Sequence, residues 1–231
     1  MILRKWDDLP DFMRCQDVKP YYDSLQRKRG SLFLKRFSDI IIAVILLILL
    51  AIPMGIIAVM IKLDTSGPVF YRQERITTYG KRFRIHKFRT MVNNADKIGT
   101  TVTVGSDARI TKVGNKLRDL RIDEIPQVID VLAGKMSFVG TRPEAVKYVK
   151  RYKPEYYATL LMPAGITSEA SIRYKDEATL LDVAADVDEV YVNQVLPEKM
   201  KWNLQSVKNF SFGKDAKTMF RTVGAVLGKD Y

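Results

Sequence analysis

Ile40–Ile61, IIIAVILLILLAIPMGIIAVMI, is a run of 22 consecutive residues without a charged or polar side chain. At about 1.5 Å per helical residue it reaches about 33 Å, close to the hydrocarbon thickness of a bilayer. A core helix of a soluble domain is usually shorter and keeps a polar stripe, and the apolar region of a cleavable leader is shorter and nearer the first residue. The run therefore reads as a membrane segment. Cations crowd both of its ends: Arg27, Lys28, Arg29, Lys35 and Arg36 precede it, and Lys62, Arg72, Arg75, Lys81, Arg82 and Arg84 follow it. The positive-inside bias draws both flanks to the cytoplasm, which one straight crossing does not satisfy. Pro53 lies well inside the run, where it removes a backbone hydrogen bond and favours a kink or break. Two arrangements stay open at this point: a segment that turns near Ile52-Pro53 and returns to the face it entered, or a single crossing with a tolerated proline.

No later run is long enough to span a bilayer, so the residues after Ile61 read as one domain on one side. The expected fold is α+β and mostly helical, divided into an N-terminal extension (1–30), the membrane segment (31–64) and a domain over 65–231. Val69–Arg75 and Arg82–Phe88 read as a short β-hairpin joined by a turn through 77–80. A loop over 99–107 precedes a helix at Lys112–Asp119. Pro126 is tolerated in a first helical turn, and Ile125, Val128, Ile129 and Leu132 repeat at helical spacing, so the next helix is expected from about Asp123 to near Gly134. Beyond it come a helical stretch over Tyr148–Leu161 interrupted at Pro154, a turn at Pro163–Thr167, and a helix at Leu196–Lys208. At the end, Phe212, Ala216, Met219, Phe220, Val223, Val226 and Leu227 keep helical spacing with Lys214, Lys217 and Arg221 interleaved. An amphipathic helix in the membrane interface and one packed on the domain share that pattern.

Composition narrows the chemistry. Among 231 residues there is one cysteine, Cys15, which excludes an internal disulfide, and one histidine, His86, which excludes a multi-histidine zinc site. His86 reads as a strand-face residue before a general base. With 38 Lys plus Arg against 26 Asp plus Glu, the net charge of +12 asks for an acidic partner: nucleic acid, an anionic membrane or a phosphorylated substrate. Three stretches concentrate ionisable side chains. Lys87-Phe88-Arg89-Thr90-Met91 alternates cations with an aromatic, RDLRIDEIPQ (118–127) sets Asp123 and Glu124 behind two arginines, Arg118 and Arg121, and GKMSFVGTRP (134–143) is a glycine-bounded loop that delivers Arg142. Arginine forks and a helix N-terminus can hold a diphosphate. Carboxylates among such cations make sense if a metal intervenes or if the carboxylate itself reacts, and Mg2+ suits the first role. Taken singly, Asp123 is better read as a helix N-cap, and Lys87 and Arg89 are equally well read as a solvated strand face.

Taken together, the apolar run with its internal proline, KFRTM (87–91), the SDARIT cluster with Asp107, Arg109, Ile110 and Thr111, LRDLRIDEIPQ (117–127), KMSFVGTRPE (135–144) and Gly165-Ile166-Thr167 occur in the order seen in the bacterial sugar transferases. The chain resembles these monotopic phosphoglycosyl transferases over roughly residues 31 to 225. The resemblance implies transfer of a sugar phosphate from a UDP-sugar to polyprenyl phosphate with release of UMP. It assigns Asp123 as the nucleophile that forms a covalent phosphosugar-aspartate, Glu124 as the Mg2+ ligand, and Lys87, Arg89, Arg142 and Arg121 as phosphate-binding cations. It also implies a re-entrant helix-break-helix at Pro53 and a small cytosolic-face domain carrying a β-hairpin and interfacial amphipathic helices. The implied setting is the bacterial plasma membrane, with the bilayer and a second copy or downstream glycosyltransferases as further partners and no nucleic acid.

Some positions depart from the family pattern. Ile52 stands where a serine usually precedes the proline, Thr77 where the turn usually has glycine, Lys135 for an acidic residue and Thr141 for a proline. The usual Arg-Pro-Gly-Ile-Thr-Gly reads Pro163-Ala164-Gly165-Ile166-Thr167-Ser168, which lacks the arginine and leaves Arg173, Lys175 or Arg151 as candidates to replace its charge. The first thirty residues lie outside the resemblance and read as a surface-associated extension. Sugar choice is expected from the loop 168–177. A non-catalytic membrane scaffold and a nucleic-acid binder are the competing readings; the second is weakened by carboxylates at the centre of the basic cluster and by the lack of an aromatic stacking platform.

Overall fold

The computed structural model describes residues 3–95, 108–174 and 186–226. The loop expected over 99–107, with Asp107, and the candidates Lys175 and Leu227 lie outside these residues. The apolar run sits in α2 (Arg29–Asp64), a helix of 36 residues, about 54 Å long. The break expected at Ile52-Pro53 is absent, and the helix continues through Pro53. Proline's fixed φ is compatible with helical backbone, so its cost is one lost hydrogen bond and a local clash rather than termination.

The two faces of α2 differ. Leu32, Lys35, Asp39, Ala43 and Ile61 are buried against the rest of the protein, whereas Phe33, Phe37, Ile41, Ile45, Ile48, Ile52, Ile56, Met60 and Leu63 form an exposed apolar stripe along the whole helix. Only 6% of its most apolar window is buried. A core helix of a soluble domain would show the reverse.

Both ends of α2 are tied to the same domain. Near the start, Lys35 Nζ donates to Val139 O at 2.8 Å and pairs with Asp215 Oδ2 at 2.5 Å, and Arg36 donates to Val131 O at 2.6 Å and Leu132 O at 3.0 Å. Asp39 accepts from the Phe138 N–H. At the far end, Asp64 Oδ2 accepts from the Val113 N–H at 3.0 Å.

The hairpin forms as expected. Strands β1 (Phe70–Ile76) and β2 (Arg82–Phe88) are antiparallel, with Tyr71 opposite Lys87, Gln73 opposite Ile85 and Arg75 opposite Phe83. The turn is closed by Tyr79 and Gly80 in left-handed conformation, φ 58° and 73°. Thr77, in the place of the usual glycine, is buried and has a structural task. Its hydroxyl donates to Lys135 O and accepts from the Ala164 N–H, tying the hairpin to a second sheet.

That second sheet pairs β3 (Met136–Val139) in parallel with β4 (Ala164–Thr167). The turn expected at Pro163–Thr167 is therefore a strand. Four residues are too few for a periodic signal, and the partner lies across a long crossover. Within the crossover, the expected helix over 148–161 is reduced to one turn, α5 (Val146–Val149), and a 3-10 segment, Pro154–Leu161, with Pro154 in its first turn.

Helix α1 (Lys19–Gln26) turns Tyr21, Tyr22 and Leu25 inward. With Leu3, Leu9, Met13 and Val18 they join Tyr152, Leu161, Leu196, Met200 and Phe210 in one buried cluster. Residues 3–30 thus contribute to a core and are not a surface extension. Helix α3 (Lys112–Asp119) matches expectation and is capped by Thr111, whose hydroxyl accepts from the Gly114 N–H. Helices α4 (Gln127–Leu132), α6 (Glu169–Arg173) and α7 (Val187–Val190) are short, and a π-turn leads from α7 into α8 (Leu196–Lys208), which lies where expected. The last helix, α9 (Phe212–Val226), packs on the domain through Asp215 and Thr218 and leaves Phe220 73% exposed, so it is a packed helix with an outward apolar residue.

Candidate active site

Three chain segments converge on Glu124. The segment that carries it begins at Arg121, held left-handed at φ 54° and ψ 24° just past α3. Ile122–Glu124 then form one 3-10 turn, with the Ile125 N–H donating to Ile122 O, and the α-helix starts at Gln127 instead of Asp123. Pro126 explains the shift, because it has no N–H to return to Ile122 in an α-helical bond and the tighter turn satisfies that carbonyl instead. In a 3-10 turn successive side chains diverge by about 120°, so Asp123 and Glu124 face different surroundings.

Glu124 is locked. Lys87 Nζ and Arg142 Nη2 both donate to its Oε1, at 2.6 and 2.5 Å, and Arg142 Nη1 reaches Oε2 at 3.3 Å. Burial alone would raise its pKa, but Arg142 and Lys87 more than reverse this and hold the carboxyl far below its ordinary range. Asp123 is the opposite case. Burial pushes its pKa above the ordinary carboxylate value and the charge of Glu124 adds to this, with Lys87 and Arg118 pulling back. Two adjacent carboxylates pushed apart in this way are suited to different tasks, one a fixed anion and the other a basic, reactive group.

Lys87 is delivered by the end of β2 and Arg142 by the loop after β3. That loop packs directly on β4 through glycines: a Cβ on Gly165 would lie 2.1 Å from Gly140 N, and one on Gly140 would lie 2.6 Å from Pro163 O. Paired bonds from Gly140 N to Thr167 O and from Gly165 N to Thr141 O, each 2.9 Å, use this close approach. The MSFVG and GIT stretches are thus two halves of one support for Arg142.

His86 braces the site from behind: its Nδ1 and its N–H meet the two oxygens of buried Asp130, at 2.9 and 2.8 Å, fixing β2 to α4. It does so as a strand residue, in line with its sequence reading.

Two expected cations are elsewhere. Arg89 is buried, and its guanidinium donates to Thr65 O at 2.6 Å, Ser66 O at 2.8 Å and Ile61 O at 3.2 Å, at the end of α2. It is a clamp on the membrane helix rather than a phosphate ligand, because β2 ends at Phe88 and the alternation that would put Arg89 beside Lys87 ends with it. Arg121 is exposed and forms no ion pair among the described residues. The charges proposed to replace the missing arginine are also used otherwise: Arg173 stacks 3.9 Å from the centre of the Trp202 ring, and Arg151 pairs with Glu189 on the surface. Two cations given no site role from sequence act on this cluster. Arg118 binds Thr90 Oγ1 and acts on Asp123, and Arg75 shares a hairpin face with Lys87, a relation visible only once the strand register is known.

Among the described residues no three or more His, Cys, Asp or Glu side chains gather as a metal site. The donors present are the carboxylates of two residues adjacent in sequence, Asp123 and Glu124, with Glu124 Oε2 contacted by a single long hydrogen bond. That set fits Mg2+, which commonly takes one or two carboxylates and completes its shell with substrate phosphates and water.

A family model described as bacterial sugar transferase matches residues 30–229. The chain is 35% identical over 198 residues to a UDP-N-acetylgalactosamine-undecaprenyl-phosphate N-acetylgalactosaminephosphotransferase of Aeromonas hydrophila, covering 84% of this chain and 44% of that one. It is 36% identical over 211 residues to a UDP-glucose:undecaprenyl-phosphate glucose-1-phosphate transferase of Escherichia coli (strain K12), covering 89% and 42%. A Caulobacter vibrioides protein with the same name as the E. coli one is 32% identical over 199 residues, covering 85% and 70%. The chain thus spans less than half the length of the first two relatives.

Proposed function

This chain belongs to the bacterial sugar transferase family, and from that premise we propose that it moves a sugar-1-phosphate from a UDP-sugar to polyprenyl (undecaprenyl) phosphate, releasing UMP. The observation that carries the reading is the division of labour between Asp123 and Glu124. Asp123 is raised in pKa, and no other side chain hydrogen-bonds to its carboxylate among the described residues, so it can attack the sugar-bearing phosphorus. The P–O bond to UMP breaks, and the phosphosugar is carried as an acyl phosphate on Asp123. The lipid phosphate oxygen then attacks the same phosphorus and frees the carboxylate. Arg142 and Lys87, held in place by Glu124, offset the charge of an anion approaching an anion. Mg2+ held by Glu124, with Asp123 beside it, would supply further charge neutralisation at the diphosphate when bound.

In the same reading the protein is monotopic, with the exposed apolar stripe of the unbroken α2 seated in the bilayer and both ends of the helix held on the cytoplasmic face. The exposed stripe from Phe33 to Leu63 and the attachment of both helix ends to one domain support it. Cysteines placed before Lys35 and after Asp64 are expected to label from the same side; labelling from opposite sides would overturn this topology.

The activity is tested with purified protein, Mg2+, a panel of UDP-sugars and undecaprenyl phosphate, measuring UMP. Without the lipid, intact mass is expected to show a phosphosugar adduct that Asp123→Asn lacks. Asp123→Asn is expected to lose UMP release by about 10⁴-fold or more, the scale of losing a nucleophile. A folded wild-type protein that releases no UMP from any donor would sink the reading.

A further inference from the structure

Arg75 is a half-buried arginine whose charge the protein leaves without an ion pair among the described residues. Its Nε and Nη2 both donate to Gln73 Oε1, at 3.1 and 2.5 Å, which orients the guanidinium along the strand but does not neutralise it. Nη1 makes no hydrogen bond among the described residues. The carboxylate of Glu144 attracts it from beyond ion-pair distance and is itself occupied by the Tyr191 hydroxyl at 2.7 Å.

Placement makes this unusual. Tyr71, Gln73 and Arg75 lie on the hairpin face that also carries Lys87. The Ile76 N–H donates to Glu144 O at 3.0 Å, which lays the Arg142–Glu144 loop against the end of β1 and brings a second guanidinium near the first. Burial lowers the pKa of Arg75, Glu144 pulls it back and the charge of Arg142 lowers it again. Buried charges are normally paired, and two neighbouring guanidiniums repel unless an anion lies between them. A phosphate group is the ligand that matches such forks in shape and charge.

We propose that Arg75, aimed by Gln73, is a second phosphate-binding guanidinium of this site and receives a substrate phosphate together with Arg142. The assignment rests on the sugar-phosphate transfer reading above and deepens it. The phosphate belongs either to the donor diphosphate or to the lipid acceptor, which share this chemistry.

Two measurements separate the possibilities. Inorganic pyrophosphate binding to the full chain, followed by calorimetry, is expected to weaken about tenfold or more in Arg75→Gln. Arg75→Lys, which keeps the charge but loses the fork, is expected to weaken it about threefold and serves as the test if the glutamine variant does not fold. In turnover, a raised KM for the UDP-sugar alone assigns Arg75 to the donor, and a raised KM for polyprenyl phosphate alone assigns it to the acceptor; either supports the proposal. A folded Arg75→Gln with wild-type pyrophosphate affinity and both KM values unchanged overturns it. If the wild type releases no UMP from any donor while pyrophosphate binding still depends on Arg75, the transfer reading fails and the anion site stands.

Discussion

The two ends of α2 are held by opposite means. Near its start the helix reaches out: Lys35, Arg36 and Asp39 extend side chains to β3, to the end of α4 and to Asp215 of α9. At its end the domain reaches in, and Arg89 delivers a guanidinium to the carbonyls of Ile61, Thr65 and Ser66. Helix geometry accounts for the difference. Where the helix ends, the carbonyls that follow, those of Thr65 and Ser66, have no intrahelical partner, and a cation from outside satisfies them and the negative end of the dipole together. Lys35–Asp39 lie inside the helix, where every backbone group is already paired, so attachment there has to come from side chains. Both attachments finish close to the cluster around Glu124, since Val139 is followed within three residues by Arg142 and Arg89 lies two residues from Lys87.

The far end is expected to be the more sensitive. Arg89→Met removes the bonds from a buried charged donor to the carbonyls of Ile61, Thr65 and Ser66, at a cost of about 4 kcal/mol in unfolding free energy. Arg89→Lys recovers little, because one ammonium cannot span three carbonyls as a planar fork does. Denaturant unfolding in detergent checks this. A loss below that of the Lys35 variants would show that the near end, not the far end, fixes the helix.

Lys35→Met is expected to cost about 3 kcal/mol by leaving Asp215 without its partner. The double variant Lys35→Met with Asp215→Leu should recover most of this, because a buried pair can often be exchanged for apolar contacts. The pH dependence has a definite sign. Burial already raises the pKa of Asp215 above the ordinary carboxylate value, with Lys35 pulling it down. Without Lys35 it rises further, so folding favours the protonated form. Lys35→Met should therefore gain stability as pH falls through that raised value, and by more than the wild type gains. Thermal melting at several pH values reads it, and a flat difference between the two proteins would count against the pairing.

How far this was legible from sequence differs by residue, for physical reasons. That Lys87 and Arg142 gather on the Asp123-Glu124 pair was readable because motif order and local charge density survive without a structure. Arg89 was misplaced because strand alternation was carried one residue past the end of β2. The space it occupies is made by Gly67, where a Cβ would lie 2.1 Å from the Arg89 Nη1 atom, and a sequence does not reveal such a vacancy. Strand β4 was hidden for want of a nearby partner. The burial of Leu3, Leu9 and Met13 was hidden because their 3-10 turns and loops carry no helical stripe and their partners lie far along the chain. Pro53 was read for its local cost, and the helix absorbs that cost.

The smallest expected effect concerns Asp64, a side chain by which the far end of α2 reaches outward. Its carboxylate accepts from the Val113 N–H at 3.0 Å, in the first turn of α3 where backbone donors lack partners. Asp64→Asn keeps an oxygen that can accept this bond and loses only the charge opposite the helix dipole, so a cost of about 0.5 kcal/mol is expected. Asp64→Ala loses the acceptor as well and should cost about 1 kcal/mol, as for other capping side chains. Unfolding measurements on both, set beside Arg89→Met, rank the contacts at this end. If Asp64→Ala costs as much as Arg89→Met, the far end is held by outward side chains like the near one, and the contrast between the two ends disappears.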